Sequence, residues 1–290
     1  MAGDLSEEKR DTDTDQSEPR KPARRILEHE ISEGLGEIQR STSGLFIAGL
    51  SAGLDLGFSI FLMAVMLSNA EGKLPQPIVE VLMAHMYTIG FIFVILGRSE
   101  LFTEHTTLAV LPVLNGRASL GGLARLWAII FFSNLIGASL FGALIAWIGP
   151  ALGVVKPSAM GFLSHQMVAQ GWWVILLSAV LAGWMMGLLS WLVAAGRDTI
   201  SQIVFVWFVT SAIGFSHLHH AISGTTEVLM GLFAGQGITL ADYGHFLLWT
   251  TIGNSLGGVF FVAVIKYSHV IRSSGEKEDV HLEDSPQKQR

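Results

Sequence analysis

The sequence predicts an all-α membrane protein: six transmembrane helices arranged as an inverted three-helix repeat, with spans two and five broken near mid-membrane. Three observations predict it. Half of the 290 residues are hydrophobic and only 14% are charged, and most of the charge sits at the two ends, which leaves a long middle with few ionised groups. Two polar runs, at 97–106 and 216–224, interrupt apolar stretches in corresponding halves of that middle. Two short motifs also recur: Ala52-Gly53 with Gly57 is matched by Ala182-Gly183 with Gly187, and Asn134 with Gly137 by Asn254 with Gly257. A unit of three spans is odd, so its second copy enters the bilayer from the opposite side.

Residues 1–42 form a first tail, expected to be cytoplasmic. Up to about residue 23 it mixes both charges with Ser, Thr, Asp and Pro and has almost nothing to bury, so disorder is expected. From Arg24 onward Leu27, Ile31, Leu35 and Ile38 recur at spacings that place them on one face of an amphipathic helix, expected on the cytoplasmic surface. No short apolar leader with a small-residue cleavage site is visible, so the first span is expected to direct insertion.

The six-span domain is read at 43–267. Span one covers 45–67, the broken span two lies within 78–114, span three covers 126–148, span four 172–195, the broken span five 201–234 and span six 246–267. The apolar region 78–114 is too long for one straight crossing, because about 20 helical residues cross a bilayer. A second charged tail, 268–290, follows. Arg117, Arg125, Arg197, Lys266 and Arg272 fall on one side with the arginines of the first tail, against Lys73 and Lys156 on the other. The positive-inside rule then sets both termini in the cytoplasm, with the chain in the inner (cytoplasmic) membrane.

The formal charge of −6 arises mainly from the acidic tails and gives no reason to expect nucleic acid as a partner. There is no Cys, hence no disulfide and no thiolate chemistry. No cofactor is expected.

Polar backbone at membrane depth is tolerated only where protein buries it or it lines a watery cavity, so each polar run marks a candidate permeation path. In the first, Thr103 offers a hydroxyl and the loop amides offer donors to a small anion. The positive end of the following half-helix points at the same place. Leu101 and Phe102 beside it are candidate gates, or else ordinary core. The second run carries His217, His219 and His220, and an imidazole titrating near about 6.5 exchanges protons with a weak acid at physiological pH.

Asp55, Arg98, Glu100, Glu104 and Glu227 also lie in or near the membrane, where an unpaired charge costs from about 3 to more than 10 kcal/mol. Arg98 is expected to pair with Asp55 or Glu100, and Glu104, next to Thr103, to act on permeation directly. His217, His219 and His220 with His105 and Glu104 are also ligands of the kind zinc takes, which gives an intramembrane metal-dependent enzyme as an alternative. Adjacent positions on one short loop seldom converge on one ion, so no metal site is expected. A channel for water or small neutral solutes is a second alternative, although neither run holds the Asn-Pro-Ala motif of aquaporins. A membrane scaffold whose charged tails bind partners is a third.

The run Ser99-Glu100-Leu101-Phe102-Thr103-Glu104-His105-Thr106, the triplet Ala195-Gly196-Arg197, the histidine-bearing second run and Gly253-Asn254-Ser255-Leu256-Gly257-Gly258 stand in an order and spacing that resembles the formate/nitrite transporter family, over about residues 44–267. The resemblance implies an aquaporin-like fold, a homopentamer with a pore in each protomer, and passage of small monovalent anions such as formate or nitrite. It implies a transporter or channel and not an enzyme. By position, Leu101, Phe102 and Thr103 match the family's omega-loop gate. Counting without gaps from Gly196-Arg197 places His220 at the central pore histidine, while His217, which follows a similar Gly-Phe pair, is the other candidate. The same count puts Ile213 and Phe91 near hydrophobic constrictions. The sequence departs from the family pattern at His219, where an acid is common, at Gly224, where Asn is common, at Glu104-His105 after the threonine, and at Met167, where the count gives a vestibule lysine. The expected mechanism is proton-linked: an anion held by Thr103 and loop amides receives a proton from His220 and crosses as the neutral acid. Its partners are then anions, protons and the lipid bilayer.

Overall fold

The computed structural model describes residues 20–273. Most of the two charged tails, 1–19 and 274–290, including the segment expected to be disordered, lies outside the described residues. Among the described residues all regular structure is helical: α1 (Ala23–Gln39), α2 (Thr42–Ala70), α3 (Gln76–Leu96), α4 (Phe102–Leu108), α5 (Leu111–Leu114), α6 (Leu120–Ala151), α7 (Pro157–Val168), α8 (Trp172–Ala195), α9 (Thr199–Phe215), α10 (Ala221–Phe233), α11 (Leu240–Leu256), a π-helical stretch (Gly257–Val264) and α12 (Ile265–Ser273). Local chemistry explains several of the starts. Ser41, Ser119 and Asp198 each accept an amide hydrogen of the first turn that follows them, and Thr239 with Asp242 forms a reciprocal capping box.

Among the described residues five helices are long and apolar enough to cross a membrane: α2, α3, α6, α8 and the continuous helix Leu240–Arg272. Helices α9 and α10 are apolar but shorter. The outer surface carries large apolar side chains such as Ile47, Phe132, Trp147, Phe208 and Phe260, as a lipid- or subunit-facing surface does.

The recurring glycine motifs explain how the long helices pair. A side chain at Gly53 would overlap the Asn134 carbonyl, and one at Gly137 would overlap the backbone of Leu50 and Leu54, so α2 and α6 touch backbone to backbone. The same exchange joins α8 to the last long helix, with Gly183 against Asn254 and Gly257 against Val180 and Trp184. The π-helical turn follows directly, and the carbonyl of Gly258 accepts the Thr107 hydroxyl at 3.1 Å.

Helix α1 does not leave its apolar face bare. Ile26, Leu27 and Ile31 are buried, and Gly34 lies against the Leu108 carbonyl. Lys21 donates to the carbonyls of Ala194 and Gly196, and Arg125 to those of Ile38 and Arg40, so both ends of α1 are tied to the bundle.

Candidate functional site

Two intervals of five residues, 97–101 between α3 and α4 and 216–220 between α9 and α10, are built alike. At the first, Asn134 accepts the Phe102 N–H at 2.8 Å and donates to the carbonyls of Gly49 at 2.7 Å and Glu100 at 2.8 Å. At the second, Asn254 accepts the Ala221 N–H at 2.8 Å and donates to the carbonyls of Ala179 at 2.8 Å and His219 at 3.0 Å. Each asparagine gives the first amide of a short helix its acceptor and ties the interval to a long helix. The side chain suits the task because its amide carries both an acceptor and donors, and both asparagines are fully buried.

This anchoring brings Thr103 and His220 together, Oγ1 to Nε2 at 2.8 Å, both buried. His220 immediately precedes α10, and its Nδ1 accepts the N–H groups of Ile222 and Ser223, each at 3.3 Å. A ring nitrogen that accepts carries no hydrogen. These bonds therefore assign the neutral tautomer with its hydrogen on Nε2, donating to Thr103. The threonine hydroxyl keeps its own hydrogen for another acceptor. Phe91 stands edge-on to the imidazole with ring centres 5.3 Å apart, and Tyr87, one turn earlier on α3, bonds to the Ser223 hydroxyl at 2.8 Å.

The other sequence-predicted residues are placed around this contact. Leu101 is fully buried just before α4, and Phe102 packs edge-on against Trp127 and Phe131. Ile213 is fully buried, and its carbonyl takes the Leu218 N–H at 3.1 Å. His219 is directed elsewhere, its Nδ1 2.9 Å from the Ser178 hydroxyl and its ring beside Phe246. His217 has a left-handed backbone, φ 49°, and lines a cavity of about 520 Å³ with His219, Ser178, Gln166 and Gln170. Among the described residues no three histidine or acidic side chains converge as a metal ion would need. Tyr87, Ser223 and the anchoring role of the two asparagines were not anticipated from sequence. Tyr87 stands four residues before Phe91 and Ser223 three after His220, so helical periodicity from the predicted residues is the signal that finds them.

Arg98 pairs with neither expected partner. It bonds Glu33 of α1 at 3.0 Å, while Ser51 and Ser99 hold Asp55, and Arg40 and His105 hold Glu100. The reason is the docking of α1, which brings its own carboxylates to the first interval. Between α1 and that interval lies a cavity of about 260 Å³, lined by Glu30, Glu33, Glu37, Glu100 and Glu104 together with Arg40 and Arg98. Glu104 therefore faces this acidic cavity.

Glu30, on α1, is 2% exposed, and both its oxygens face the Ser190 hydroxyl at 2.9–3.0 Å. Burial pushes its carboxyl from 4.5 up to about 8, with the Ser190 hydrogen bond opposing and Glu33 reinforcing the shift. The docked helix thus holds a proton that a free carboxyl has lost between 4.5 and about 8. Docking is strongest at the acid end of that window and weakens as pH rises through it, by roughly 1 kcal/mol per unit. Hydrogen-exchange protection of α1, corrected for intrinsic rates, is expected to fall across this window in wild-type protein. It should stay level in Glu30→Gln. An equally steep fall in the variant would show that another group sets the dependence.

Comparison with known proteins fits this arrangement. A family model described as formate/nitrite transporter matches residues 24–268. Inner membrane protein YfdC of Escherichia coli (strain K12) is 28% identical over 265 residues, covering 90% of this chain and 83% of that protein. Nitrite transporter NirC of Salmonella typhimurium is 29% identical over 227 residues, covering 76% and 81%. Among solved structures, an FNT family ion channel superposes with a TM-score of 0.77 at 25% identity, over 84% of this chain and 98% of that one. A pentameric formate channel with formate bound gives a TM-score of 0.65 at 20% identity, over 79% and 98%. Where these relatives carry a functional name it is that of a transporter or channel, not of an enzyme. With the family model matched along almost the whole described length, the chain belongs to the formate/nitrite transporter family.

Proposed function

We propose that this protein is a homopentameric channel or transporter of the cytoplasmic membrane for small monovalent weak-acid anions of the formate or nitrite type. Passage is linked to protons at the Thr103–His220 contact. Each protomer crosses six times as an inverted repeat of three, with α3 and α4 as the broken second span, α9 and α10 as the broken fifth, and both termini in the cytoplasm. The paired asparagine anchors support the repeat, because two unrelated intervals have no reason to share one bonding pattern. The pentamer draws its support from the likeness to the pentameric formate channel, and the membrane from the apolar helices and from YfdC.

The observation that carries the reading is the Thr103–His220 hydrogen bond, buried where the two intervals meet and flanked by Phe91. A neutral His220 that donates from Nε2 orients the Thr103 hydroxyl outward as a donor, and a small anion needs such a donor when it leaves water. The rings and aliphatic side chains of Phe91, Leu101, Phe102 and Ile213 make the surroundings apolar, so the charged form is disfavoured and the neutral acid crosses more readily. Proton transfer to the anion at this contact removes the charge where the surroundings are buried and apolar.

Uptake of formate, nitrite, acetate, lactate and hydrosulfide into proteoliposomes, with internal pH recorded at external pH of about 5 and about 7.5, tests the reading. Acidification that depends on the anion and is faster at the lower pH is the expected result, and it ranks the substrates. A folded oligomer that moves none of them at either pH would end the anion reading, and osmotic swelling without anion would replace it with a neutral-solute channel.

A further inference from the structure

We infer that Glu227 is the proton-binding carboxyl of this pore, the acid that supplies the proton accompanying each anion to the Thr103–His220 contact. The inference rests on the proton-linked reading above and names the source of the proton.

His220 is poorly placed to be that source. Its Nδ1 is occupied by two backbone N–H groups, and its Nε2 hydrogen is the only one the neutral ring carries. Giving that hydrogen away leaves an imidazolate unless the ring is charged first, and a hydrogen on Nδ1 would face the two amides that now cap α10. Another acid is needed nearby.

Glu227 is 4% exposed on α10 and its side chain has neither a hydrogen bond nor an ion pair among the described residues, as is also true of Glu104, whereas Asp55, Glu100 and Glu33 are each held by partners. An ionised carboxylate without a counter-charge is costly at membrane depth, and such a residue is a functional candidate by default. It follows His220 and Ser223 at helical spacing, seven and four residues on, so the three share one face of α10. Tyr87 adjoins the line, its hydroxyl bonding Ser223 at 2.8 Å.

Position in the repeat points the same way. Asn134 anchors Phe102 as Asn254 anchors Ala221, and six residues beyond each anchored amide stand Leu108 and Glu227. Leu108 lines the cavity beneath α1, at one mouth, so Glu227 corresponds to the lining of the opposite mouth.

No cation from the helices packed on α10 competes for it among the described residues. Helix α6 brings Ala138 and Gly142 to α10, α7 brings Ser164, and α11 brings Phe246. His165 of α7 is turned to the Gln236 carbonyl, Tyr243 of α11 to Thr225, and Asp55 of α2 to Ser51 and Ser99. His219 is engaged with Ser178.

In the step proposed, the Glu227 carboxyl releases its proton to the Tyr87 hydroxyl through one intervening water, because the two groups are not directly hydrogen-bonded. Tyr87 and then Ser223 each accept one proton as they pass one on, and the anion beside Thr103 takes the last. The carboxylate left behind is reprotonated from the outer mouth, and one proton travels with one anion.

The test is formate-driven proton uptake in proteoliposomes of the full chain, followed with an internal pH dye across a series of external pH values. Glu227→Gln is expected to lose proton uptake by on the order of a hundredfold. Glu227→Asp is expected to keep it with the midpoint of its pH profile displaced. Coupling within about twofold of wild type in Glu227→Gln would overturn the assignment. Should that variant not assemble, an undisplaced midpoint in Glu227→Asp overturns it equally. Wild-type protein that moves no formate would instead overturn the transport reading, so the two failures are distinguishable.

Discussion

His220→Asn is expected to leave the start of α10 intact and to lower formate or nitrite flux on the order of a hundredfold. Asparagine caps helices as well as any residue, so it can replace Nδ1 as acceptor for the Ile222 and Ser223 amides. Its shorter side chain no longer reaches Thr103, whose hydroxyl loses the donor that orients it. The loss resembles removal of one fixed donor from a site that stabilises negative charge, which sets the magnitude. Thr103→Val should lose as much, because the hydroxyl itself goes, whereas Thr103→Ser should retain much of the flux. Uptake assays on matched amounts of folded protein decide the point. Flux near the wild-type rate in His220→Asn would mean that the contact holds the intervals together without touching the substrate.

The second large effect is expected for Asn254→Ala, in stability. The substitution removes the side-chain partner of the Ala221 amide and of the Ala179 and His219 carbonyls, all in a buried setting. Unmade bonds to buried groups cost about 1–3 kcal/mol each and do not add fully, so a loss of roughly 3–5 kcal/mol is expected. Asn254→Asp keeps the acceptor, loses donors and should fall between. Thermal unfolding in detergent, followed by size-exclusion profile, measures it. An Asn254→Ala protein as heat-resistant as the wild type would show that water or backbone rearrangement replaces the side chain.

What was legible in the sequence was what depends on local pattern. Hydropathy over windows of a span's length identified an all-helical membrane chain, and the order of a few motifs identified its family. The polar runs marked where α3 gives way to α4 and α9 to α10. The recurrence of Asn134 and Asn254 was visible too, but as a sign of the repeat and not as an anchor. Their bonds reach amides 32 and 33 residues away, and nothing local says that α6 passes the start of α4. The expected partner of Arg98 failed for a related reason: Glu33 belongs to α1, and where an amphipathic helix docks is a tertiary outcome. Glu104 and His219 illustrate a third limit. Each is the chain neighbour of a residue in the central contact, yet successive helical residues diverge by about 100°, and an interval turns its residues just as freely. Adjacency in sequence places a residue near a site without pointing it there.

The hydrogen bond between Thr103 and His220 joins residues 117 apart, and the anchor of the second interval is supplied by a side chain later still, Asn254. During synthesis the first interval has its anchor once α6 has emerged, while the second waits for α11. Between the emergence of Asn134 and that of Asn254 the ribosome therefore holds a chain with one interval anchored, and once residue 220 is made it also holds three histidines, His217, His219 and His220, on an unanchored segment. A chain cut before Asn254 would keep most of its apolar mass and still lack the centre, so quality control that senses exposed polar groups in the bilayer has one late event, the arrival of that asparagine, by which to recognise a finished protomer.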